Sequence, residues 1–222
     1  MQARVFEDIP LHAMPHRTRA FLKIEDGCQN FCTFCIIPYA RGPVKSRELS
    51  AVAREMHLLT EAGFHEVVLT GIHLGAYGID LAARPTLADA CRAALDEPRL
   101  RRLRLGSLES VELSAELLDL MRTEPRFAAH LHLPLQAGSD NVLRAMNRHY
   151  DTAAFAHLLE EVRAAVPGVA ISTDIIVGFP GETEADFAAG LDFVRQMGFA
   201  RMHVFPYSPR KGTPAARRSD QV

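Results

Sequence analysis

The sequence contains no apolar run near the ~18 residues that cross a bilayer, which argues against a helical membrane span. Its first residues, Met1-Gln2-Ala3-Arg4-Val5, lack the apolar core of a secretion signal. Cysteine is scarce, with four in 222 residues. That is too few for a disulfide framework, so a reducing cytoplasm fits. An excess of one charge is also missing. The formal net charge of −2 gives no overall pull toward nucleic acid, and any RNA contact must come from a local patch. No G-x-G-x-x-G opens a helix, which weakens any phosphate-loop reading. The remainder, 48% hydrophobic and 23% charged, describes an ordinary globular chain long enough for one sizeable core.

Against these absences one stretch stands out. Cys28-Gln29-Asn30-Phe31-Cys32-Thr33-Phe34-Cys35 gathers three of the four cysteines, directly after the strand-like run Phe21–Ile24. Thiolates are soft ligands that suit iron–sulfur clusters or zinc. A cluster with four irons and three cysteines would keep one iron open for chemistry. Two plainer readings stand beside it. One is a zinc ion completed by His12, His16 or His73, although the second Cys-x-x-Cys pair of many zinc sites is missing. The other is a redox pair of Cys32 and Cys35. Cys91 lies alone in a helical pattern and reads as a small buried hydrophobe.

Strand-like runs alternate with amphipathic helical patterns along the rest of the chain. The strands are expected at 19–25, 66–70, 101–105, 130–135, 169–177 and 201–206, and residues 1–18 read as a linker arm. Helix starts are signalled by Ser50, Ser114 and Thr152, and by the capping boxes Thr86-x-x-Asp89 and Thr183-x-x-Asp186. Six strand-then-helix units imply parallel strands with right-handed crossovers, as either a doubly wound sheet or a barrel. In both, function belongs at the C-terminal ends of the strands. The cysteine loop follows the first of them.

Other strand ends carry candidates. Thr70-Gly71 opens a loop whose three glycines, Gly71, Gly75 and Gly78, would let backbone approach a ligand. Gln136 follows the fourth strand as a two-way hydrogen-bonding amide. Asp174 is a carboxylate inside an apolar strand, which requires a ligand or an ion pair. Tyr39, Arg41, Lys45 and Arg47 form a loop that could stack a base and hold phosphates, or simply be solvated.

Cys28-x-x-x-Cys32-x-Phe34-Cys35 resembles the signature loop of the radical S-adenosylmethionine enzymes. Ile36-Ile37-Pro38-Tyr39-Ala40-Arg41-Gly42 is similar to the methylthiotransferases within that superfamily. The runs Leu69–Gly78 and His203–Pro209 look most like the branch that acts on N6-threonylcarbamoyladenosine at tRNA position 37. The resemblance covers about residues 17–222. It implies a partial (β/α)6 TIM-like barrel in which Cys28, Cys32 and Cys35 hold a 4Fe–4S cluster whose open iron chelates S-adenosylmethionine. Electron transfer would then release a 5′-deoxyadenosyl radical that attacks C2 of the adenine. Around the cofactor it implies Phe34 at the adenine, Thr70 and Gly71 at the amino group, and Gln136, Arg148 and Asp174 near the carboxylate and ribose. The implied partners are the tRNA anticodon loop, touched by Tyr39, Arg41 and Lys45, and an electron donor such as flavodoxin or ferredoxin, with no membrane and no DNA. Family members also carry an N-terminal domain with a second cluster and a C-terminal TRAM barrel. Neither is visible here, so residues 19–222 read as the core of a longer enzyme. The alternatives are a sibling acting on isopentenyladenosine in tRNA or on a ribosomal-protein aspartate, and a non-enzymatic metal-binding RNA-interaction module.

Overall fold

The computed structural model of the protein describes residues 6–7 and 17–222. The arm expected over residues 1–18, with His12 and His16, lies largely outside the described residues. The chain then runs β1 (Ala20–Lys23), β2 (Glu25–Asp26), α1 (Ile37–Arg41), β3 (Lys45–Ser46), α2 (Leu49–Glu61), β4 (Glu66–Thr70) and α3 (Leu87–Leu95). It continues with β5 (Arg102–Leu105), α4 (Ala115–Thr123), β6 (His130–His132), α5 (Asp140–Ala145), α6 (Thr152–Ala165), β7 (Ala170–Val177), α7 (Glu184–Met197) and β8 (Arg201–Pro206).

Strands β1, β4 and β5 pair in parallel, as do β6, β7 and β8. Parallel bridges Leu103↔Phe127 and Ser107↔His132 join the two halves. The six long strands therefore lie side by side in chain order. A doubly wound sheet reverses its order at a switch point, whereas a barrel does not, so the winding is that of a barrel. Among the described residues β1 and β8 do not pair, which makes the barrel partial, as expected. The hairpin of β2 and β3 is a separate antiparallel pair that straps the start of the cysteine loop.

Strand alternation divides the sheet into two faces. Leu22, Val67, Leu69, Leu103, Leu105, Leu131 and Ile171 are buried in one cluster with Val52, Met56, Leu59, Ala90, Leu117, Phe155 and Leu159 of the helices. The opposite, lumen face is polar. It carries Lys23, Glu66, Arg102, Arg104, His130, His132, Ser172, Asp174 and His203. Arg102 and Arg104, two residues apart, share that face and both bridge Glu66.

Ser114, Thr86 and Thr183 cap their helices as expected, the last two in complete capping boxes. Two starts shift by one or two residues. Glu48, not Ser50, precedes α2, and Asp151, not Thr152, caps α6 by accepting from Ala154 N at 2.8 Å. Gly198, at φ 58°, closes α7 in the left-handed conformation that glycine adopts cheaply.

Asp186 serves two elements at once. It accepts from Thr183 Oγ1 (2.6 Å) within its own capping box, and from Ser139 Oγ (2.6 Å) and Asn141 Nδ2 (3.1 Å) at the start of α5. The Ser139 hydroxyl, with Thr183, holds its carboxyl down at about 2. A depressed folded-state value stabilises the protein fully above the unfolded value near 4. That contribution, about 2 kcal/mol, is lost as pH falls toward 2. Asp186→Ala is therefore expected to destabilise the chain by about 2 kcal/mol in urea unfolding at pH 6, with the gap from the parent closing below pH 3.

Candidate functional site

The cysteine loop leaves the C-terminal end of β1 through Gly27. Its φ is +97°, and a Cβ there would stand 2.1 Å from Pro43 O, so only glycine lets the strap lie against the loop. Cys28 N then donates to Gly42 O at 3.1 Å. The middle of the loop is clamped from α5 and from the turn at its C-terminal end. Thr33 N reaches Met146 O (3.0 Å), Thr33 Oγ1 reaches Ala145 O (2.8 Å), and Asn147 Nδ2 reaches Asn30 O (3.1 Å) and Phe31 O (3.2 Å). Ala215 N adds a bond to Thr33 O at 2.9 Å. Helix α5 is not legible in the sequence. Its six residues are too few to show a period, and the available signal is Ser139-Asp140 ahead of Val142-Leu143.

None of the four cysteines is in a disulfide. Burial pushes the Cys32 thiol up, opposed by the Arg148 guanidinium, whose Nη1 donates to Cys32 Sγ at 3.2 Å. Burial also raises Cys35, with Cys28 adding to it. These sulfurs sense one another, yet they do not form a single-ion cage. Among the described residues, the sole set of three ligand atoms within 4.8 Å of one another is elsewhere. Three thiolates on one zinc ion would lie about 3.8 Å apart. The wider spacing suits a multi-iron cluster, and a polar shell is waiting beside it. His73 Nδ1, Glu25 Oε1 and Glu112 Oε2 are buried without hydrogen-bond partners. Thiolate donors spaced too widely for one ion, with the buried His73 imidazole beside Cys28, fit an iron–sulfur group.

His73 comes from the loop after β4. Burial pulls its pKa down, but Cys28 and the hydrogen-bonded Glu112 carboxylate outweigh this and lift it to about 10. Glu25, fully buried at the end of the first strand run, accepts from His73 N at 2.7 Å. Burial, only partly offset by that bond, raises its carboxyl to about 7. A raised carboxyl means the folded state holds the extra proton between about 4.5 and 7, so stability falls as pH rises through that window. Between pH 5 and about pH 6.5, below the range where the raised His73 adds its own loss, the cluster-free protein is expected to lose up to about 2 kcal/mol. Glu25→Gln is expected to flatten that slope in urea midpoints taken across the range; an unchanged slope would place the titration elsewhere. Glu25, Glu109 and Glu112 do not stand out in the sequence. For Glu25 a signal exists, an acid directly after an apolar strand.

The structure brings Phe34, Gln136 and Asp174 together in one cavity of about 260 Å³, shared with Ile176, Phe205, Tyr207 and Arg210. The Phe34 ring meets Phe179 edge-on at 6.3 Å, and Phe179 meets Tyr207 at 5.3 Å. Gln136 holds a φ of 70°, sparsely populated for a residue with a side chain, fixed by Gln136 N to Asp174 O at 2.8 Å. Both Asp174 oxygens are engaged by imidazoles, His203 Nδ1 at 2.9 Å and His132 Nε2 at 3.1 Å. Arg148 turns to the cysteine loop, bonded to Cys32, Glu109 and the Tyr150 hydroxyl (3.1 Å).

The glycines after β4 are needed where they stand, because a Cβ would meet Glu25 Oε2 at 2.6 Å from Gly71, Glu112 Oε2 at 2.1 Å from Gly75 and Pro85 O at 1.7 Å from Gly78. One expectation is corrected. Arg41, Lys45 and Arg47 do not form one solvated cationic loop. Residues 37–41 are helix α1, Lys45 is 6% exposed with Nζ donating to Arg41 O at 3.0 Å, and Arg47 is buried against Glu55. Lys45 is thus not presented to RNA. Its pairing in β3, across from Asp26, is what buries it. Tyr39, half exposed, lies edge-on to Phe31 at 5.7 Å, and Arg41 bridges Asp26 at 3.6 Å.

Comparison with known proteins agrees with this geometry. The Radical SAM superfamily pattern matches residues 22–194. The threonylcarbamoyladenosine tRNA methylthiotransferase MtaB of Bacillus subtilis is 44% identical over all of this chain and 49% of its own length. The tRNA-2-methylthio-N(6)-dimethylallyladenosine synthase of Rickettsia rickettsii is 40% identical over 98% of this chain and 49% of its own. The chain spans about half the length of the curated relatives it matches. Among solved structures, the radical S-adenosylmethionine methyltransferase TsrM of Kitasatospora setae superposes with a TM-score of 0.72 at 20% identity, covering 89% of this chain and 38% of TsrM. Coproporphyrinogen III oxidase of Escherichia coli superposes with a TM-score of 0.64 at 20% identity, covering 92% of this chain and 48% of the oxidase. Those likenesses concern the fold alone. A matched family pattern across most of the chain, laid on a partial parallel barrel with its three-thiol loop at a strand end, shows that this chain belongs to the radical SAM superfamily.

Proposed function

We propose that this chain is the radical SAM core of a tRNA methylthiotransferase that places a methylthio group on C2 of N6-threonylcarbamoyladenosine at position 37. The observation that carries the reading is the clamped three-thiol loop opening beside the cavity of Phe34 and Gln136. The 44% identity to a threonylcarbamoyladenosine methylthiotransferase supports the branch. Cys28, Cys32 and Cys35 would hold a 4Fe–4S cluster, which with S-adenosylmethionine supplies one-electron sulfonium cleavage when bound. Arg148 keeps Cys32 hydrogen-bonded and Asn147 fixes the loop backbone. Phe34, supported by Phe179, offers an aromatic face for the adenine of the cofactor. Thr70 and Gly71 present backbone at the end of β4, and Gln136 presents its amide from a strained turn.

The substrate would be the tRNA anticodon loop, with Tyr39 and Arg41 as exposed contacts. Electrons would come from a flavodoxin or ferredoxin, and the sulfur from a second cluster in a domain outside this chain. No helix among the described residues is long and apolar enough to cross a membrane.

The test has two arms. After anaerobic loading with iron and sulfide, the chain is expected to bind about four irons and to form 5′-deoxyadenosine from S-adenosylmethionine under dithionite. In cells lacking the gene, tRNA mass spectrometry is expected to show loss of the methylthio group from threonylcarbamoyladenosine. The 40% identity to the dimethylallyladenosine enzyme favours one second reading. Loss from isopentenyladenosine instead would establish that one.

A further inference from the structure

We propose that Arg84 is a specificity residue whose guanidinium receives the threonyl carboxylate of N6-threonylcarbamoyladenosine, in the cavity between the exit loops of β4 and β5. The inference rests on the proposed function and adds to it the seat of the base's substituent. The cavity has a volume of about 270 Å³, room for a group the size of an amino acid. Its walls come from Gly75 and Gly78 after β4, from Arg84 and Thr86 before α3, and from Glu112 and Ser114 after β5. All of these follow the C-terminal ends of the strands, where barrels place their substrates. Glu112 is hydrogen-bonded to His73, and His73 lies beside Cys28. A single layer of side chains therefore separates the cavity from the cysteine loop.

Charge accounting leaves one cation unanswered. The charged residues on the cavity wall are Arg84, Glu112 and Glu116. Glu116 is bridged by Arg92 at 2.7 Å, and Glu112 is held by His73. Arg84 is exposed, and among the described residues its guanidinium has no ion-pair or hydrogen-bond partner. Its backbone is costly. Arg84 holds a φ of 45°, rare for a residue with a side chain, and it precedes Pro85, which favours extended backbone at that position. Two contacts keep it there. Arg84 N donates to Leu81 O at 3.0 Å, and Gly78 packs so closely on the next residue that a Cβ would stand 1.7 Å from Pro85 O. Strain kept at an unpaired guanidinium over a cavity points to a ligand contact. Ser114 adds a donor to the same cavity. Its oxygen accepts from Leu117 N at 3.1 Å, which leaves the hydroxyl proton free to give. A guanidinium and a hydroxyl donor together match a carboxylate. The threonylcarbamoyl substituent ends in that group. An isopentenyl substituent ends in methyl groups and would leave Arg84 desolvated and unpaired.

The test uses the full chain, loaded anaerobically with iron and sulfide and saturated with S-adenosylmethionine. Calorimetry compares the nucleoside N6-threonylcarbamoyladenosine with its methyl ester, which keeps the shape and loses the charge. The acid is expected to bind at least about 10-fold more tightly than the ester. Arg84→Gln is expected to bring the two within about 2-fold by weakening the acid, and Arg84→Lys to keep an intermediate preference. Glutamine also bears a Cβ, so the backbone cost at this position is unchanged, and far-UV circular dichroism checks that each variant is folded. A merely structural role would weaken both ligands alike. No measurable binding of the acid, or an acid-over-ester preference that survives Arg84→Gln, would overturn the proposal. The tRNA of cells lacking the gene reports on the proposed function separately. If the methylthio group is lost there and the ester discrimination is absent here, the function stands and its carboxylate is held elsewhere. If the methylthio group persists there and the Arg84-dependent preference is seen here, the activity is struck and the binding site stands.

Discussion

Replacing Cys32 by alanine is expected to drop the iron content of the loaded protein from about four per chain to below one, and 5′-deoxyadenosine formation to background. Cys32 is the most buried of the three loop thiols, at 8% exposure, and the one that Arg148 holds. Two thiolates cannot retain a cluster against exchange, and no neighbour can replace the third. His73, the nearest alternative ligand, is tied to Glu112 and raised well above neutrality beside Cys28. The fold should survive. Thr33, on the far side of Cys32, keeps its bonds to Ala145 and Met146, and Arg148 keeps Glu109 and Tyr150. Cys91→Ala is the control. That thiol is fully buried within the α3 packing, far from any ligand role, so iron content should be unchanged and stability reduced by about 1 kcal/mol. Wild-type iron retention in the Cys32→Ala protein would remove the cluster from this loop.

Phe179→Ala is expected to cost about 3–5 kcal/mol, a large part of the ~5–15 kcal/mol that holds a domain together. Phe179 is fully buried at the centre of a small second core with Ala137, Val142, Leu143, Met146 and Ala215. Three site elements converge on it: the Phe34 ring, the Tyr207 ring, and α5, whose end clamps the cysteine loop. Truncation should therefore lower the urea midpoint and also release amide protection across residues 28–35 in hydrogen exchange. Phe179→Leu should recover more than half of the loss. A penalty below about 1 kcal/mol for alanine would mean that the small core closes over the void, and that the loop is positioned from elsewhere.

The strands are readable because their side-chain period is short and strict. The expected run 66–70 coincides with β4, and 201–206 with β8. The chain-order winding is not readable, because alternation of strand and helix is common to barrels and doubly wound sheets. Only the pairing of Ala20 with Val67, of Glu66 with Arg102 and onward decides it. The cysteines are legible through residue type and spacing alone. Their support is not. Asn147, Thr33 and Arg148 act through backbone carbonyls and sulfur more than 100 residues away in sequence. Lys45 misleads for a related reason. Charge in a Pro- and Gly-bounded segment reads as solvated, and nothing local announces that a two-residue strand pairing will bury it. The helix starts at Glu48 and Asp151 show the same limit on a smaller scale, since neighbouring polar residues could each have served.

The last strand, β8, is hydrogen-bonded to β7 along one side, and no described strand takes the other. Met202 and Val204 there, with Phe187 and Leu191 of α7, stand 39–52% exposed. A border of this kind is a template for adding further chain, and a single fixed charge, Arg201, guards it. Concentration rather than heat is then what the isolated chain tolerates worst. Copies would meet along that seam well below the temperature at which the barrel itself comes apart.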